Sequence, residues 1–466
     1  MKQKLITAIL TLIAIFVPLL IIPSSNNSNY NALKLILLLY LGFALVILLL
    51  SRYKNIKLDK KDIIILIFMG LACISTCLST NIKVSLFGED NRYEGLLMLI
   101  IYICIYICSK KYFKYENISK FLNIMFIVSM TIGVLGIAQK YIKCPELYPI
   151  FNKGISGTFG NSNFFGSFIS IVLPIAVSIF ICNGSKKGFI LSLVMFFNMI
   201  SSGTRSAWVA FAVIGLLWVV YLIKQKNKKY FKRAILILIL FVFIFIYLYN
   251  GFDFILEKFK TNVENKPSTT NTMNTTDKVA KNKVTTNTTT TIKKEITTTK
   301  AKINQITQEI KQAQKTGIFN KIGSGRIEIW KMTLKLICKQ PIFGCGPDNL
   351  WEGLVKNCKN EVGEYVKRGK ITVDKAHNEY LQIAATLGIP ALICYLVFIV
   401  LILFPKMKLV LSEKIYFILC LGLISYLVQA FFNISTIGVA PIFWMLLGLI
   451  DNKDFVERIE KLETDI

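Results

Sequence analysis

The chain has one histidine in 466 residues, His377. A single imidazole excludes the usual catalytic metal sites, which draw on several histidines, and the spacing of Cys338, Cys345 and Cys358 fits no common zinc pattern, so no metal is expected. Acidic residues are scarce too, 27 against 55 lysines and arginines, for a net charge of +28. Such an excess can mark nucleic acid binding. Here the basic residues gather in short loops between apolar runs and in one Lys-rich polar segment, so no nucleic acid partner is expected. Charges inside the apolar runs are almost absent, which argues against a flippase or transporter, whose path needs polar groups at membrane depth. No small-x-small cleavage site follows the first apolar run, which is therefore read as a retained anchor rather than a signal peptide. Most of the eleven cysteines lie in apolar runs, where Cys73 and Cys77, or Cys104 and Cys108, are helical neighbours acting as small hydrophobes. A disulfide among Cys338, Cys345 and Cys358 is permitted but not implied.

What the chain has in abundance is apolar sequence, 54% of its residues. It falls into about twelve blocks near the length that crosses a bilayer as helix, roughly 17 to 25 residues. These are 5–22, 31–50, 62–78, 94–108, 120–141, 162–182, 187–201, 206–223, 232–250, 381–404, 413–432 and 436–450. The expectation is an all-α polytopic protein of the cytoplasmic membrane. Lysine and arginine concentrate in alternate loops, which by the positive-inside rule puts both termini in the cytoplasm and the long segment between the ninth and tenth spans outside. Four regions follow: an N-terminal transmembrane bundle at 1–250, an extracytoplasmic loop at 251–380, C-terminal transmembrane helices at 381–450 and a cytoplasmic tail at 451–466. Within the loop, 261–300 is Thr, Asn and Lys with too little apolar surface to fold, and 301–380 reads as a helical cap. Helical spacing recurs through Ile303, Ile306 and Ile310, and again through Ile327, Trp330, Leu334 and Ile337.

With this topology the conspicuous polar clusters share the outer side. Arg205 follows Ser202-Gly203-Thr204 at the head of an apolar block. It could be an arginine snorkelling to the interface, but it runs against the positive-inside trend and its small neighbours allow a ligand close approach. Arg326, after Gly323-Ser324-Gly325, opens a helical pattern whose N-terminus favours an anion. Arg92 and Glu94 either pair with each other or mark the interface. Gly157 to Asn163, with Asn161 and Asn163, reads as a tight loop capping the 162–182 block. His377 caps a helix entry or serves as a general base, with Asp374 three residues upstream able to orient it if that turn is helical.

Together, Arg92-Tyr93-Glu94-Gly95-Leu96, Gly157-Thr158-Phe159-Gly160-Asn161-Ser162-Asn163, Ser202-Gly203-Thr204-Arg205-Ser206, Gly325-Arg326-Ile327-Glu328-Ile329-Trp330, Pro341-Ile342-Phe343-Gly344-Cys345-Gly346-Pro347 and Ala376-His377-Asn378-Glu379-Tyr380-Leu381-Gln382 resemble the O-antigen ligase and O-antigen polymerase superfamily in order and spacing. The resemblance runs from about residue 85 to 450. It implies a GT-C-like membrane glycosyltransferase that takes a glycan from a polyprenyl pyrophosphate carrier and transfers it to an acceptor hydroxyl outside the cytoplasmic membrane. It implies no metal, no cofactor and no nucleotide sugar. Carried over by position, Arg205 and Arg326, with Arg92, bind pyrophosphate; His377 activates the acceptor, supported by Asp374; and Asn161, Asn163, Asn378 and Glu94 belong to the loops that meet substrate.

Thr386 stands where relatives often carry a glutamate, and the 261–300 insert is unusual. The acceptor stays open, since ligases, polymerases and protein O-glycosylating transferases share these motifs. Heavy use of Ile, Lys and Asn hints at a low-GC bacterium; without an outer membrane, lipid A would give way to a cell-wall or surface polysaccharide. A flippase for lipid-linked oligosaccharides and a non-catalytic scaffold are the readings from other classes.

Overall fold

The structure, a computed structural model, describes residues 2–21, 30–51, 58–142, 154–249, 325–367, 372–452 and 454. The 261–300 insert and the helical spacing at 301–316 lie outside these residues. Among the described residues all regular structure is helical. In chain order the helices are α1 Lys2–Leu19, α2 Ala32–Leu50, α3 Lys60–Cys77, α4 Ile82–Phe87, α5 Leu96–Tyr112, α6 Ile118–Tyr141, α7 Ser162–Asn183, α8 Lys186–Ser201, α9 Arg205–Gln225 and α10 Lys228–Tyr249. Beyond the long loop come α11 Arg326–Lys339, α12 Leu350–Asn357, α13 Lys359–Lys367, α14 Glu379–Leu387, α15 Ile389–Leu403, α16 Met407–Ser412, α17 Lys414–Ala430 and α18 Ala440–Ile450. Among the described residues each of the twelve apolar blocks overlaps at least one helix. Seven helices are long and apolar enough to cross a membrane: Lys2–Leu19, Ala32–Leu50, Tyr115–Tyr141, Ser162–Asn183, Arg205–Gln225, Lys228–Tyr249 and Ile389–Lys406. Lys414–Ala430 and Ala440–Ile450 are shorter apolar helices. This is a polytopic membrane protein.

Contacts divide the chain into two units, one of residues 1–248 with 330–466 and one of residues 249–329. In the first, α7 packs on α8, α9 and α17, α5 on α2 and α18, and α3 on α15. The bundle therefore centres on α5, α7, α17 and α18. Small and hydroxyl residues explain α7's place, since Gly166, Ser167, Ser170 and Ser178 let neighbouring backbones close on it. Gly166 lies against Thr204, where an added Cβ would come 2.4 Å from its methyl.

The block 381–404 is not one helix. It breaks at Gly388, between α14 and α15, because Gly388 has a φ of 95° and Pro390 follows in the first turn of α15. The break receives the Pro341–Pro347 segment: Cys345 N donates to Ala385 O at 3.1 Å, Gly346 N to Thr386 O at 2.9 Å and Ile389 N to Pro341 O at 2.7 Å. A side chain at Gly388 would strike the Ile342 carbonyl, so this seat demands glycine. Helix α11 forms where the spacing placed it, but its buried residues include Met332, Leu336 and Ile337 while Leu334 is exposed.

Candidate functional site

His377 stands at the end of a non-helical stretch, 372–376, that is tied down residue by residue. The Asp374 carboxylate accepts from Arg92 Nε at 2.8 Å and pairs with its guanidinium. Lys375 pairs with Asp348, and both are buried. Ala376 O accepts from Trp330 Nε1 at 2.9 Å, and Ala376 N donates to Gln382 Oε1 at 2.8 Å. Asn378 then caps α14, its side-chain oxygen accepting from Leu381 N at 3.0 Å. Held from both sides, His377 takes a left-handed backbone, φ 51°, and keeps its side chain half-buried. Such strain in a non-glycine residue persists only where surrounding contacts enforce it. The helical turn on which an orienting role for Asp374 was conditional does not form: 372–376 is not helical, and the carboxylate pairs with Arg92.

Asp348 joins this stretch to the loop that carries Arg92. Its Oδ2 accepts from Glu89 N at 2.8 Å and Glu94 N at 3.3 Å, while Lys375 meets its other oxygen. The Glu89–Glu94 loop closes on itself because Gly88 and Gly95 touch, and a Cβ on Gly95 would meet Gly88 N at 2.4 Å. Asn91, Tyr93, Asp348 and His377 all have positive φ, so four strained non-glycine positions fall in three linked loops. Arg92 also lies over the Phe164 ring, 5.1 Å from its centroid, which brings this loop to the first turn of α7.

The start of α7 is equally fixed. Asn161 caps it, its side chain accepting from Asn163 N at 2.8 Å. Gln139 clamps Ser156 N, Gly157 N and Gly157 O within 2.9 Å, and buried Lys34 donates to Thr158 O at 2.9 Å. Thr204 Oγ1 reaches Ser162 O at 2.8 Å and so does not cap α9, whose N-terminus has no side-chain cap. Arg205 opens that helix with an exposed side chain that makes no hydrogen bond or ion pair among the described residues. Two helix N-termini and an available guanidinium side by side favour an anion.

One turn at the end of α17 connects Arg205's surroundings to those of His377. Gln429 Nε2 donates to Ser206 Oγ at 3.3 Å, and Tyr380 donates through its hydroxyl to Leu427 O at 2.7 Å. Asn433 Nδ2 reaches Asn163 O at 2.8 Å, and Ser435 Oγ donates to Glu94 at 3.0 Å. Thus Arg92, Glu94, Asn161, Asn163, Arg205, Asp374, His377 and Asn378 come together at one end of the bundle. Gln429, Asn433, Ser435, Asp348, Lys375 and Glu379 were not foreseen as members. The polar Gln429-x-x-x-Asn433-x-Ser435 spacing inside apolar sequence was the available signal. Arg326 opens α11 in the second unit, so its role rests on the resemblance alone.

Beneath the loops lies a cavity of about 80 Å³ lined in part by Glu94, Tyr102, Asp348, Lys375, Glu379 and Gln382. It is roomy enough for water and offers polar groups to hold it. Burial lowers Lys375 to about 8, with Glu94 pulling the other way. Burial likewise raises Glu379 to about 7, against hydrogen bonds from Tyr426 and Tyr395, both 3.1 Å. Burial thus works against charging the Glu379 carboxyl.

Residues 190–396 match the family model described as O-antigen ligase. The matched stretch contains Arg205, Arg326, Asp374, His377 and Asn378, and leaves Arg92, Glu94, Asn161 and Asn163 outside it. A search of curated proteins finds no match to the chain.

Proposed function

From the O-antigen ligase domain of residues 190–396, which supports an O-antigen ligase-like function in surface polysaccharide assembly, we propose a specific reaction. The protein transfers a glycan from a polyprenyl pyrophosphate to an acceptor hydroxyl at the outer face of the cytoplasmic membrane. The observation that carries this reading is the shared turn of α17, which touches Ser206 beside Arg205 and Tyr380 three residues after His377.

The pyrophosphate is already a good leaving group, so the enzyme chiefly neutralises the charge that grows on its oxygens as the anomeric C–O bond breaks. Arg205 suits this task, because a guanidinium stays charged and binds phosphate oxygens in pairs. Arg326 joins it through the resemblance. Arg92 is expected to act differently: committed to Asp374, it holds the His377 stretch against the start of α7. His377 accepts the proton of the acceptor hydroxyl as its oxygen bonds to the anomeric carbon from the face opposite the leaving group, which inverts that carbon. General-base help of this kind is worth about 100 to 10,000-fold.

The test is transfer by purified protein in detergent, with a lipid pyrophosphate-linked glycan as donor and candidate acceptors offered in turn. Product with a glycan or lipid acceptor identifies a ligase, product with a second lipid-linked repeat a polymerase, and product on a Ser or Thr a protein glycosyltransferase. A donor never consumed with any acceptor would refute the enzymatic reading.

A further inference from the structure

Helix α6 packs chiefly on α1 and α8. Between it and the central helices α7, α17 and α18 runs a groove of about 290 Å³ with apolar walls that include Phe126, Ile175, Ile418 and Leu446. It opens at the end of the bundle opposite His377, where α6 and α8 begin. There Asn123, Ser185 and Lys187 line its mouth. Lys187 Nζ donates to Asn123 Oδ1 at 2.7 Å and lies 5.9 Å from the centroid of the Phe126 ring. Among the described residues no carboxylate lines the groove.

A second polar group sits deeper in the same groove. Ser129 is 1% exposed, lines the cavity, and its hydroxyl has no hydrogen-bond partner among the described residues. A buried hydroxyl without an acceptor is costly, and costlier in a bilayer where water is excluded. Ser129 lies about 9 Å along α6 from Asn123 at 1.5 Å per residue. An amphiphile with an anionic head at Lys187 and an ester carbonyl below it therefore satisfies both groups with one molecule.

We propose that this groove binds one anionic phospholipid from the leaflet at the basic end, its phosphate on Lys187, its ester region facing Ser129 and one acyl chain against Phe126, Ile175 and Leu446. The anionic class follows from the lysine at the mouth, the start of α8 beside it with its positive dipole end, and the absence of a carboxylate among the described residues that line the groove. The chain class follows from the apolar walls. This site lies apart from the His377 end and does not depend on the reaction proposed above.

Native mass spectrometry of the full-length protein, released from detergent after titration with phosphatidylglycerol or phosphatidylcholine, tests the assignment. Wild type retains one phosphatidylglycerol about fivefold better than phosphatidylcholine, the selectivity expected from one lysine near the surface. Lys187→Gln changes an exposed side chain, leaves the fold intact and removes that preference. Ile175→Trp fills the groove and lowers retention of both lipids. Equal retention of the two lipids by wild type, or a preference unchanged in Lys187→Gln, overturns the proposal.

Discussion

The two ends of the bundle use charge in opposite ways. At the basic end Lys110, almost fully buried, touches Asp59, Asp62 and Asp451 at 2.7, 2.7 and 2.9 Å. Lys61 adds a bond to Asp451 and Lys111 one to Asp62, so three lysines meet three aspartates. Tyr106 donates to Asp451 at 2.7 Å, and Asn452 caps the arrangement on the carbonyls of Ser109 and Phe113. This cluster joins the ends of α3, α5 and α18 and closes on itself. At the other end Arg92 and Lys375 pair with Asp374 and Asp348, Glu89 and Glu94 have no ion pair among the described residues, four backbone positions are strained, and Arg205 is left exposed without an ion pair among the described residues. Matched and closed charges hold helices together. Unmatched charge, local strain and an available cation belong where chemistry is done.

Removing one member from each end should separate the two roles. Asp451→Ala removes one of Lys110's three carboxylates, the partner of Lys61 and the acceptor of the buried Tyr106 hydroxyl, and is expected to cost about 1 to 3 kcal/mol of stability, read as a lowered unfolding midpoint in detergent, while transfer per folded molecule is kept. Asp348→Asn at the other end releases Lys375 and loosens the stretch bearing His377; it should lower kcat by about 100-fold, the penalty of a reacting group displaced by an ångström, with a smaller change in KM. If instead Asp451→Ala abolishes transfer in the folded protein, the two ends are not separate in function.

The mildest difference is one of pH. Glu379 is raised from an ordinary 4.5 to about 7 by burial. The folded state therefore holds a proton between those values that the unfolded state has released, so stability falls as pH rises from 4.5 through 7 and levels off above. Glu379→Gln should flatten that decline in a series of thermal unfolding midpoints; an unchanged slope would remove Glu379 as its source.

Helix positions and the one-sided polar clusters were legible because a helix of a given length and apolarity is a local property. Which helices lie at the centre was not. The strongly apolar α2 buries four of nineteen residues, while α7 buries seventeen of twenty-two. Apolarity faces lipid as readily as protein, so small and hydroxyl residues, not hydrophobicity, mark the interior of a membrane bundle. The motifs that resemble those of O-antigen ligases pointed to Arg205 and His377 in the sequence. They did not reveal that Asp374 is spoken for by Arg92, 282 positions away, or that Asp348 gathers Glu89, Glu94 and Lys375. Partners so distant along the chain leave no periodicity to read. The break at Gly388 was visible only as a Gly-Ile-Pro inside an apolar run; its meaning needed the Pro341–Pro347 segment that docks there.

The most direct test compares wild type, Arg205→Ala and His377→Ala with one lipid-linked donor and an acceptor that wild type uses, each protein first shown to be monodisperse and equally stable. The account predicts that both variants lose transfer, Arg205→Ala together with affinity for the pyrophosphate donor and His377→Ala with that affinity kept. Transfer at the wild-type rate by either variant would contradict it.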